Sequence, residues 1–81
     1  MNITNDTIIN EWSFEFYSTS EEEWLDFGYW TISDDQSAAI EILLKDEENQ
    51  VEHLSCNHRE WTFEQFKLNQ GPDCMQLIRD L

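Results

Sequence analysis

No lysine or arginine occurs before position 45 of this 81-residue chain, and only four follow: Lys45, Arg59, Lys67 and Arg79. Eighteen acidic residues oppose them, for a net charge of −14. Such a surface repels phosphate backbones and anionic membranes, so neither nucleic acid nor a membrane is expected as a direct ligand. Two glycines and one proline leave few breakers, and no linker, repeat or low-complexity tract appears, so residues 1–81 are expected to form a single acidic domain. Cys56 and Cys74 are too few for a disulfide framework and read as free thiols of a reducing compartment. No apolar run approaches the roughly 20 residues of a membrane span. Met1 to Asn10 has neither the basic nor the apolar part of a signal peptide, so a cytoplasmic protein is expected.

What the chain does have is aromatic bulk. Four tryptophans, five phenylalanines and two tyrosines bury large areas each and can close a core in a short chain. That argues against disorder despite the charge. Residues 11–17 alternate: Trp12, Phe14 and Phe16 point one way, and Glu11, Ser13, Glu15 and Tyr17 the other. A period of two predicts a strand with one buried face. Ser20 with Glu23 forms a capping box, which predicts a short helix from Glu21 to Phe27 ending at Gly28. Residues 29–33 are rich in strand formers.

Asp34 to Ser37 reads as a turn or an N-cap. Residues 38–45 carry conflicting signals. Alanine, leucine and the Glu41–Lys45 spacing favour a helix. The alternation of Ile40, Ile42 and Leu44 favours a strand that turns at 46–50 into Val51–Cys56, and the hairpin is the preferred reading. Thr62 to Leu68 fits a helical turn capped through Thr62 and Gln65, or an edge strand. Pro72 suits the first position of a closing helix whose apolar side holds Met75, Leu77, Ile78 and Leu81. The expected architecture is α+β: a small antiparallel sheet of three or four strands with one or two short helices.

Motifs for chemistry are missing. His53, Cys56, His58 and Cys74 lack the paired ligand spacing of a zinc site, and a strand over 51–56 would put His53 and Cys56 on opposite faces. A cysteine nucleophile needs a positive environment that this chain does not supply. There is no phosphate loop, nucleophile elbow or H-E-x-x-H sequence, and residues 46–49 lack the ligand spacing of an EF-hand. No enzyme, cofactor or metal is expected.

The acids interleaved with aromatics are the better candidate. Glu21, Glu22, Glu23 and Asp26 surround Trp24, while Asp34 and Asp35 follow the aromatic run that contains Tyr29. Carboxylates at such spacing can stand where phosphates stand and meet the Lys and Arg that contact a nucleic-acid backbone. Trp24 and Tyr29 are the aromatics kept as candidate anchors; Trp12 and Trp30 are expected in the core. Asp80 reads as an outlying acid. In size, acidity and aromatic content the chain resembles two groups of small inhibitors: phage-encoded DNA mimics that block restriction or CRISPR complexes, and immunity proteins that neutralise bacterial nuclease toxins. The resemblance is one of composition, carried by no motif. It implies a non-enzymatic inhibitor, such as an anti-CRISPR or anti-restriction protein of phage counter-defence, on a basic nucleic-acid-binding surface. The alternatives are toxin immunity and a structural or adaptor subunit whose acidity confers only solubility. Gene neighbourhood separates the first two.

Overall fold

The computed structural model describes residues 2–81. It is an α+β fold: a three-stranded antiparallel sheet with two helices. Strand β1 (Ile8–Ser18) lies in the centre, between β2 (Glu23–Thr31) and β3 (Val51–Thr62). Helix α1 (Gln36–Asp46) connects β2 to β3, α2 (Phe63–Gln70) follows β3, and a 3-10 turn spans Cys74–Leu77.

The alternation of β1 is realised as expected. Trp12, Phe14 and Phe16 are buried and pack with Tyr29, Ala39 and Leu43 between the sheet and α1. The neighbouring strands match this face in register: Tyr29, Phe27 and Leu25 stand opposite Trp12, Phe14 and Phe16. Two polar links finish the layer. The Trp12 indole donates to Thr31 Oγ1 at 2.7 Å. His58 stacks on the Trp12 ring at 4.3 Å and donates through Nε2 to Asn10 Oδ1 at 2.7 Å.

Three local expectations are corrected. Residues 21–27 are not helical: they form the β1–β2 turn and most of β2. An isolated seven-residue helix is marginal in water, whereas as a strand this segment places Leu25 and Phe27 over the apolar face of β1. The capping role passes from Ser20 to Ser18, whose buried Oγ accepts from the Glu21 amide at 3.2 Å. Residues 38–45 are helical, not a hairpin strand. Asp35 caps the helix by accepting from the Ser37 amide, and Ala39 and Leu43, four apart, are its buried pair. The helix ends in a Schellman motif: the Asn49 amide donates to Leu44 O and the Glu48 amide to Lys45 O, with Glu48 at φ 53° in the place glycine usually takes.

The closing helix predicted after Pro72 is replaced by the 3-10 turn and a latch. Ile78 pairs in parallel with Trp30 at the outer edge of β2. The Arg79 amide donates to Trp30 O, and the Asp80 carboxylate accepts from the amides of Ile32 and Ser33 at 2.7 and 2.9 Å. Arg79 also pairs with Asp46 at the end of α1 at 2.9 Å. Asp80 is therefore a structural acid and not an outlying one. Of the four expected apolar positions only Ile78 is buried. Thr62 and Gln65 form the expected capping box of α2. Among the described residues no helix is long and apolar enough to cross a membrane.

Candidate partner-binding face

The two helices lie on opposite faces of the sheet. Helix α1 covers the face of Trp12. Helix α2 and the 3-10 turn cover the other face at one end only, where Ile9, Phe63, Phe66, Cys74 and Ile78 form a second core flanked by Trp30 and Trp61. Among the described residues no layer covers the remainder of that second face. This follows from β1 itself, since Glu11, Ser13, Glu15 and Tyr17 all project there and none is fully buried.

Cross-strand register arranges this face in rows. Nearest the second core, Trp30, Glu11 and Arg59 stand side by side. Next come Gly28, Ser13 and Asn57, then Asp26, Glu15 and Ser55, then Trp24, Tyr17 and Glu52 at the far end. Rows are two residues apart, so the four rows span roughly 20 Å. The first row is internally satisfied: the Trp61 indole donates to Glu11 Oε1 at 3.1 Å and the Arg59 guanidinium lies 4.0 Å over the Trp61 ring. The middle rows are not. Gly28 has no side chain, and a hollow of about 360 Å³ opens between Ser13, Glu15, Asp26 and Asn57. Among the described residues neither Glu15 nor Asp26 has a basic group in ion-pair range, and the only Lys or Arg ion pair is Arg79–Asp46. In the last row Trp24 is 57 % exposed, packed edge-on against Tyr17 with His53 beyond.

The residues singled out from sequence are divided by this geometry. Trp24 and Asp26 lie on the open face. Glu21, Glu22 and Glu23 sit at the adjacent hairpin end, where Thr19 bonds to Gln50 and brings in the turn carrying Glu47 and Glu48. Asp34 and Asp35 lie past the opposite end of β2, roughly 26 Å away along nine extended residues. The expected single acidic face over 21–35 is therefore two ends of a strand. Tyr29 is a correction: at 5 % exposure it belongs to the core, its hydroxyl donating to Ala39 O. Glu11, Ser13, Glu15, Gly28 and Asn57 were not singled out, although the alternation of residues 11–17 already places Glu11, Ser13 and Glu15 together on one side.

The thiols and imidazoles do not converge. Cys56 lies on the α1 side of β3, Cys74 in the second core and His53 at a bulge with φ 55°. No group of three metal-ligating side chains forms among the described residues. Burial pushes the Cys56 thiol up, away from the thiolate.

No family model matches this chain, and neither a curated protein nor a solved structure matches it.

Proposed function

We propose that this chain is an acidic protein inhibitor that occupies the basic nucleic-acid-binding surface of a target protein and keeps nucleic acid out. The observation that carries the reading is charge density. A net −14 lies along a body 40 Å long and 21 by 18 Å across. That is about one negative charge per 3 Å, between the ~1.7 Å of duplex DNA and the ~3.4 Å of one strand. Such a rod is attracted wherever a nucleic-acid backbone is attracted. Exposed Trp24 adds an apolar anchor beside the charge, which lengthens residence where charge alone speeds encounter. The reading involves binding and no catalysis. It places the protein in the cytoplasm, consistent with two free cysteines.

The test is competition. Proteins retained from host extract by the immobilised chain are purified and titrated with it in the presence of short duplex or single-stranded oligonucleotide. The reading expects mutually exclusive binding and an affinity that falls steeply with salt. Ternary complexes with nucleic acid, or an affinity indifferent to salt, would overturn it. A target that is a secreted toxin nuclease assigns the inhibitor to immunity; a defence complex assigns it to counter-defence.

A further inference from the structure

We propose that the open face of the sheet is where the partner docks, and that the hollow over Gly28 receives one arginine side chain of that partner between Glu15 and Asp26. This rests on the binding function proposed above and specifies which surface performs it.

The first support is an imbalance built into the sheet. Glu15 and Asp26 are directly opposed across β1 and β2. Like charges in that relation repel and weaken a sheet. Neither is relieved by a basic side chain of this protein. A cation brought from outside turns the repulsion into two attractions at one point.

The second support is shape. A glycine in mid-strand weakens the strand and leaves room for something to approach the backbone. Gly28 does not need a left-handed backbone; Gly71 alone among the glycines has a positive φ. Its hydrogen in place of a side chain, beside short Ser13 and Asn57, lines the hollow, and a Cβ there would stand 3.2 Å from the Trp12 carbonyl oxygen. A guanidinium brings five donors in a planar fork. Two carboxylates, a hydroxyl and an amide oxygen on three neighbouring strands supply acceptors for such a fork better than for a single ammonium.

The third support is the charge of the whole face, which decides the occupant. Glu11, Glu15, Asp26 and Glu52 face one Arg59. A second copy of this chain would bring the same four acids and be repelled, so the face suits a basic partner and not itself. Trp24 stands one row beyond Asp26, positioned to stack on a neighbouring basic side chain or to fill an apolar notch.

The experiment maps binding of a nona-arginine peptide on the isotope-labelled protein at about 0.15 M salt, where exposed long-range attraction is largely screened. The largest amide shifts are expected at Ser13, Glu15, Asp26, Gly28 and Asn57, with a shift of the Trp24 indole. Replacing Glu15→Gln with Asp26→Asn should weaken the peptide about tenfold or more, equivalent to about 1.4 kcal/mol. Neutralising Glu21, Glu22 and Glu23 to Gln together removes more charge, yet should weaken it by less than about threefold because those side chains lie off the face. Largest shifts at the hairpin end, or a larger loss in the triple variant, would overturn the assignment of the face. Equal binding of nona-lysine would overturn the arginine hollow. The dispersed amide spectrum of each variant verifies its fold. If the mapping succeeds but the protein fails to displace nucleic acid from its target, the inhibitor reading falls and the docking face stands. If displacement is unchanged in the Glu15→Gln, Asp26→Asn variant, the face falls and the inhibitor reading stands.

Discussion

Replacing Tyr29 by phenylalanine should invert the order of stability between variant and parent as pH rises through about 11. The ring stays packed in the variant, since its contacts with Phe14 and Phe27 at 5.3 and 5.9 Å do not involve the hydroxyl. What is lost is the hydrogen bond to Ala39 O, which contributes about 1 kcal/mol net. The variant is thus the weaker protein at neutral pH. In the parent, burial pushes the phenol up from 10.0 to about 12, against smaller opposing effects of the Leu43 backbone and Arg79. A raised value means the fold prefers the neutral phenol. Its stabilisation is complete below pH 10 and is lost as pH climbs toward 12. At one unit per 1.36 kcal/mol, the parent has lost about 1.4 kcal/mol at pH 11 relative to pH 9, and the variant loses none of this. The advantage of the hydroxyl is then gone. Urea unfolding followed by tryptophan fluorescence at pH 7, 9 and 11 reads the difference directly. Because groups distant from the ring titrate alike in both proteins, the comparison isolates Tyr29 together with its coupling to Arg79, Asp46 and Cys56. Parallel stability curves over this range would refute the reasoning and mean that the hydroxyl is solvated in the folded state.

Glu48→Gly should raise stability by about 1 kcal/mol, since the residue holds a left-handed conformation that glycine adopts freely; for a chain this size that is about 4–8 °C in melting temperature. Asp80→Ala should release the C-terminal latch, costing about 1 kcal/mol and speeding hydrogen exchange at Ile32 and Ser33, whose amides it holds. Phe16→Ala, at a position with 0 % exposure, should cost about 3–5 kcal/mol. That is comparable with what a core of this size supplies, so a cooperative melt should disappear; a melt lowered by only a few degrees would mean that the sheet–helix layer collapses around the loss.

Where a local signal and the burial pattern agree, the sequence alone determined the outcome. Trp12, Phe14 and Phe16 alternate with Glu11, Ser13 and Glu15, and no helix could bury the three aromatics together without also burying the acids; β1 followed. Thr62 and Gln65 satisfy each other's backbone amides within one turn, which requires no distant partner, and of the helix and the edge strand left open for 62–68 the helix formed. The excess of acid over base and the absence of any cation before Lys45 are properties of composition that no fold can change.

Tertiary structure decided where two local readings competed. Residues 21–27 hold sound helix signals worth about 1 kcal/mol for the cap, yet pairing along β1 aligns Leu25, Phe27 and Tyr29 with the aromatic row and outweighs them. Residues 38–45 fit either period. They became α1 because one helix, by placing Ala39 and Leu43 over the sheet, covers the central strand that a hairpin would have left bare. The candidate site depended most on this level. That α1 and α2 fall on opposite faces, and that α2 reaches only one end, is a matter of packing between segments far apart in the chain. Only that packing leaves Glu15, Asp26 and the Gly28 hollow uncovered, and it sends Asp34 and Asp35, a few residues further on, to the other end of the molecule.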